Sequence, residues 1–286
     1  MKCSRFCYHN RVKTLRIIFA VSFSLLAFSL SPAQDAPHIA TQPEIEANLK
    51  AVNCKNRERF EATRDLFKSM GAAESDIVIQ KGERAENIVV TKKGKSNDKI
   101  IIAAHYDKVG NGCGVMDNWS GIVIAANLYR TFRTAETEKT LVFIALDEGE
   151  TGLWGSNTAA KAIPKEERGS YCAVVNIDSF GLNYPQVQDD ASTTKLRVLA
   201  EQLAGEIKMP FGHAAQTRRD SDANPFIARD IPAVSFHGLS DTWQRFIHTQ
   251  EDQLVNINYS SVFVGYQFLL RYVAKLDTSA CSAFRK

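Results

Sequence analysis

Three stretches of this chain are apolar along almost their whole length and then stop at ionisable residues: "KIIIAAHYD" (99–107), "TLVFIALDE" (140–148) and "YCAVVNID" (171–178). A strand with water on one face alternates apolar and polar side chains, so near-continuous apolar runs belong to strands covered on both faces. Helical patterns fall between and after them: "SGIVIAANLYRTF" from Ser120, then "GSNTAAKAIPKEE", then "STTKLRVLAEQLAGEI". "DIVIQ", "NIVVTKKG" and "IPAVSFHG" read as further strands. Upstream, Ile45, Leu49, Val52, Phe60, Leu66 and Phe67 recur at roughly helical spacing between Pro43 and Met70, which predicts one or two amphipathic helices ending at Gly71. A last helix, from about Ser260 to Leu276, carries Val262, Phe263, Phe268, Leu269 and Val273 on an apolar face. This alternation predicts an α/β fold of three layers, a mixed β-sheet between helices. With 286 residues, 44% hydrophobic, no internal repeat and no low-complexity stretch in its middle, the chain suits a single large domain.

The N-terminus follows a different logic. Lys2, Arg5, Arg11, Lys13 and Arg16 precede "IIFAVSFSLLAFSL", and the small residues of "SPAQDA" follow, the pattern of a secretory signal peptide cleaved near Ala33. Residues 34–286 are then the mature domain, secreted or periplasmic, with no stable membrane insertion expected because the apolar run is short for a bilayer span. Cleavage turns a net charge of +3 into −2, 30 Lys+Arg against 32 Asp+Glu. The basicity belongs to the export signal, so nucleic acid is not an expected partner. Cys54, Cys113, Cys172 and Cys281 remain; one or two disulfides are expected, with the pairing open. Their spacing does not match a structural zinc site.

The strands' ends carry the chemistry. "IIIAAHYD" ends in His105 and Asp107, "LVFIALDEGE" in Asp147, Glu148 and Glu150, and "AVVNID" in Asp178. Open α/β proteins place their sites at the carboxyl ends of their strands. An Asp after a strand is more often a turn former or helix cap than a ligand, and Asp117 in "GVMDNWSGI" has an N-cap reading of equal standing. Taken together, histidines and several carboxylates without cysteine suit zinc or another divalent ion at a hydrolytic centre. Asp107, two residues from His105, suits the carboxylate that accepts a metal-bound imidazole's second N–H.

The blocks "AHYDKVGNGCGVMDNWSGI", "LDEGETGLWGS", "VVNIDSFG" and "IHTQED", in that order, resemble the metal-binding blocks of the M28 family of zinc aminopeptidases, and "SDANPF" with "DIPAVSF" resembles the block before the last histidine. The resemblance covers approximately residues 85–275. It implies a mixed sheet between helix layers, two zinc ions and peptide substrates held by their free N-terminal amines. It makes His105 and Asp178 terminal ligands of one zinc, Glu150 and His248 terminal ligands of the other, and Asp117 the bridge, with Asp107 orienting His105. His213 and His237 match no ligand position and read as surface or core residues. In "HTQEDQL" a glutamine stands where the family usually has threonine.

One departure bears on catalysis. The family pattern has two adjacent glutamates before "GL", the first acting as general base and the second as ligand. Here those positions are Gly149 and Glu150. On an extended chain Glu148 shares the side of Glu150, and Gly149 gives the backbone room to bend, so Glu148 is the candidate replacement base, with Asp147 a more distant one. Three functions follow from the resemblance and its departure: a zinc aminopeptidase, a glutaminyl cyclase of the same wider clan, or a binding domain that keeps the fold without the chemistry.

Overall fold

The computed structural model describes residues 36–214 and 221–285; the expected signal peptide lies outside the described residues. The amphipathic segment forms two helices, α1 (Gln42–Lys50) and α2 (Asn56–Ser69). α2 ends where expected: Gly71 takes φ +97°, and the amides of Gly71 and Ala72 reach back to the carbonyls of Lys68 and Phe67. This is a Schellman closure, which a residue without a Cβ adopts at no steric cost.

Among the described residues eight strands follow in one sheet: β1 (Ile77–Lys81), β2 (Glu86–Lys92), β3 (Lys99–His105), β4 (Thr140–Leu146), β5 (Tyr171–Ile177), β6 (Gln186–Gln188), β7 (Gly212–Ala214) and β8 (Ala233–His237), in the spatial order β1-β2-β4-β3-β5-β8-β6-β7. The centre, β4-β3-β5-β8, is parallel, while β2 runs antiparallel to β4 and β6 antiparallel to β8. The expected mixed sheet is present. β6 and β7 are additions to the sequence reading; each is three residues long, too short to carry a two-residue period.

The remaining helices are α3 (Ser120–Phe132), α4 (Trp154–Lys161), α5 (Thr194–Glu206), the short α6 (Asn224–Ile227) and α7 (Tyr259–Thr278). Strand alternation divides the core between two layers. Ile100, Ile102, Ala104, Phe143, Val175 and Phe236 face the larger layer with α1, α2, α3, α5 and α7. Ile101, Ala103, Ile144, Leu146 and Val174 face the smaller one, with Ala159 and Ala160 of α4 and Phe226 of α6. Covering on both faces explains why the central strands are apolar throughout.

All four late cysteines pair, Cys54 with Cys113 and Cys172 with Cys281. The first bond ties the α1–α2 junction to the loop after β3; the second ties the start of β5 to the C-terminal tail. β3 lies between β4 and β5, so the chain leaves it in one direction and crosses back to its other side. Such a reversal opens a crevice at the strands' carboxyl ends.

Candidate metal centre

His105 is the last residue of β3, Asp178 follows β5 directly, and Glu150 sits in the β4–α4 loop. Asp117 lies in the irregular turn Val115–Trp119 before α3, and His248, at φ +64°, in the loop between β8 and α7. These five residues converge. Their ligand atoms form two groups, His105/Asp117/Asp178 and Asp117/Glu150/His248, each with its atoms within 4.8 Å of one another. Asp117 belongs to both: its Oδ1 is 3.2 Å from His105 Nε2 and its Oδ2 is 2.9 Å from His248 Nε2. His248 Nε2 also lies 2.8 Å from Glu150 Oε1, and His105 Nε2 3.6 Å from Asp178 Oδ1.

A third group, Asp98 with Cys172 and Cys281, offers no thiolates because its two sulfurs are bonded to each other.

The surrounding residues orient this set. His105 Nδ1 donates to Asp107 Oδ1 at 3.2 Å, which leaves Nε2 directed at the other carboxylates. Asp107 also accepts the backbone amides of Gly149 (2.9 Å) and Glu150 (3.1 Å), so one carboxylate fixes both the imidazole and the ligand loop. Asp252 does the same for the shared Asp117, accepting from the amides of Met116 (2.7 Å) and Asp117 (3.1 Å). Asn118 accepts from the amides of Gly121 and Ser179 and donates to the Ile177 carbonyl, joining the start of α3 to the end of β5. Arg59 of α2 is fully buried behind them, with Nη2 donating to the Gly114 carbonyl at 2.7 Å.

Asp252, Asn118 and Arg59 were not singled out from the sequence. Asp252 stands inside a matching block, but its role is a contact across about 135 positions that no local pattern records.

Electrostatics follow from burial and proximity. Burial opposes a charge on His105, but hydrogen bonds to Asp107, Asp117 and Asp178 hold its pKa well above the usual imidazole range. Hydrogen bonds to Asp117 and Glu150 raise His248 to about 9. Burial disfavours the Asp117 charge, yet the two imidazoles keep it well below the usual carboxylate range. Glu150 moves the other way, raised by burial and by the Asp117 charge. Burial lowers Arg59 to about 10 against the attraction of Asp252, Asp107 and Asp117, and its charge offsets part of this acidic cluster. Asp117 and the two imidazoles thus favour one another's charged forms. Nitrogen and oxygen donors in two trios around a shared carboxylate are a set that fits a pair of divalent ions, for which spacings of about 3.5–4 Å are usual.

The two acids considered in place of the missing glutamate lie elsewhere. Glu148 takes φ +51°, bonds through its carboxylate to Thr151 Oγ1, and lines a groove with Asn56, Arg57, Phe60, Tyr106 and Asp147. Asp147 accepts from the amides of Glu86 and Glu148 on that same side. The cavity at the cluster is lined instead by His105, Gly149, Glu150, Leu153, Asp178 and Asp222. A Cβ at Gly149 would come within 2.8 Å of His105 Cβ and 2.9 Å of its Cγ, so the loop passes too close to the imidazole for a side chain there. His213 is half exposed beside Asp189 on the far sheet edge, and His237 is buried at the end of β8.

The model of peptidase family M28 matches residues 87–272, well over half of the chain. The chain belongs to peptidase family M28. Among the relatives it matches, aminopeptidase YwaD of Bacillus subtilis (strain 168) is 25% identical over 187 residues, 62% of this chain and 41% of that one. The chain spans about half the length of the curated relatives it matches. Two solved structures share the fold: a zinc aminopeptidase from Bacillus subtilis, with TM-score 0.60 and 22% identity over 70% of this chain and 53% of that one, and Porphyromonas gingivalis glutaminyl cyclase, with TM-score 0.69 and 16% identity over 83% and 99%.

Proposed function

We propose that this M28 chain is an exported zinc aminopeptidase that removes N-terminal residues from peptides. In this reading His105 and Asp178 hold one zinc, Glu150 and His248 hold the other, and Asp117 bridges them. The sharing of Asp117 by the two trios is the observation that carries it. Bound ions at such a centre polarise the substrate carbonyl and acidify a water molecule. The chain's own residues then do the positioning: Asp107 holds the His105 ring and the 149–150 amides, and Asp252 holds the Asp117 turn. Export near Ala33, leaving residues 34–286 as one peptidase domain, is supported by the N-terminal sequence and by the pairing of all four later cysteines.

Among the described residues no helix is long and apolar enough to cross a membrane. The test is zinc titration followed by calorimetry, with release of p-nitroaniline from aminoacyl p-nitroanilides. Two zinc per chain and zinc-dependent release support the reading, whereas failure to bind zinc ends it.

A second reading, glutaminyl cyclase, is favoured by the coverage of the Porphyromonas gingivalis enzyme, nearly its whole length. It is separated by product: ammonia and a cyclised N-terminal glutamine instead of a free amino acid.

A further inference from the structure

We infer that Asp222 is the catalytic proton carrier of this site, acting across the cavity from Gly149. The inference rests on the aminopeptidase reading above. A glycine at the family's base position leaves the proton of the attacking water without an acceptor in that loop, and Glu148 and Asp147 lie on the other side of it.

Three observations single out Asp222. It lines the same cavity of about 90 Å³ as Gly149, His105, Glu150 and Asp178. It is 3% exposed and belongs to the loop before α6 rather than to the ligand set. Ser156 of α4 hydrogen-bonds to its carboxyl group, while its Oδ1 has no hydrogen-bond partner among the described residues. A buried carboxyl oxygen without a partner is costly unless a ligand or water in the adjoining cavity completes it. Burial also raises Asp222 above the usual carboxylate range.

Other candidates carry less. The groove of Asn56, Arg57, Glu86 and Glu148 is an acidic cluster with no second sign of a ligand, and exposed Val255 and Val78 stand singly.

The step balances. The water's proton passes to the Asp222 carboxylate as its oxygen bonds to the carbonyl carbon. The carbon–nitrogen bond then breaks as that proton moves from Asp222 to the leaving nitrogen. The products are a free amino acid and a peptide with a new amino terminus.

The experiment uses the zinc-loaded full chain with D222N, D222A and E148Q. D222N is expected to lose about 10²–10⁴ in kcat, the usual contribution of a general base, with two zinc still bound and KM shifted by less than about threefold. Formate is expected to restore about tenfold or more to D222A by supplying the missing carboxylate. The zinc-free D222N chain is expected to melt no lower than wild type, since a buried carboxyl oxygen without a hydrogen-bond partner is held for function at the expense of stability.

Several results overturn the assignment. They are a kcat for D222N within about threefold of wild type, loss of zinc or a lower melting temperature in D222N, no response of D222A to formate, or a larger loss in E148Q than in D222N. A wild-type chain that binds zinc yet releases nothing from any substrate fails at the aminopeptidase reading itself, and this assignment falls with it.

Discussion

The two trios that share Asp117 are built differently. His105 and Asp178 stand at the ends of β3 and β5, neighbouring parallel strands of the core, so the sheet register sets their separation. Glu150 and His248 stand on loops, and their positions depend on hydrogen bonds donated by the 149–150 amides to Asp107 and on the left-handed backbone at His248. One half of the centre is therefore preformed by packing, and the other is assembled by polar contacts. Packing in a close-fitted interior resists change, whereas a loop held by two or three hydrogen bonds yields to the loss of one.

Substituting the shared residue has the largest expected effect. Asp117→Ala removes a ligand from both trios, and zinc stoichiometry falls toward zero with activity down on the order of 10³-fold or more. Retention of one tightly bound zinc in that variant, measured by metal analysis, would show the halves to be independent and break the comparison.

Asp107→Asn is next. It leaves the His105 ring and the Glu150 loop poorly held, and zinc affinity drops by about 10–100-fold. Asp252→Asn touches only the Asp117 turn and is expected at or below the low end of that range. The two variants, compared by calorimetric titration, sharpen the distinction between orienting an imidazole and supporting a bridge.

Gly149→Ala places a methyl group against His105 Cβ and costs about 1–3 kcal/mol, read as a lower melting temperature with weaker zinc binding.

The smallest effect is a pH response of the zinc-free chain. His248, held at about 9 against an ordinary 6.5, adds stability that is complete below about pH 6.5 and is lost as pH rises through 9. Zinc-free protein should melt progressively lower across that window. The zinc-loaded form, in which His248 would carry metal instead of a proton, should not.

Much of this was legible in the sequence, for identifiable reasons. The central strands announced themselves because both faces are buried, and three members of the cluster, His105, Glu150 and Asp178, because ionisable residues at the ends of apolar strands have little reason to be there other than turns or chemistry. β6 and β7 stayed hidden, since "QVQ" and "GHA" carry no period.

The placement of Glu148 shows a second limit. Its expected alignment with Glu150 assumed an extended backbone, and the left-handed turn at Glu148 cancels the two-residue parity on which that depended. Arg59 and Asp252 were invisible for a third reason. They act through backbone groups 55 and 135 positions away, and only folding makes such partners neighbours.

The tight passage of the 149 loop over His105 has an evolutionary consequence. Had a glutamate once stood at 149, simple reversion would now be penalised, because a Cβ there would come within 2.8 Å of His105 Cβ and 2.9 Å of its Cγ. The path would act as a ratchet, in which a prior shift of the loop or of His105 lowers the cost of the ancestral residue. A lineage in that position improves by refining whatever acid it has recruited, not by retracing its steps.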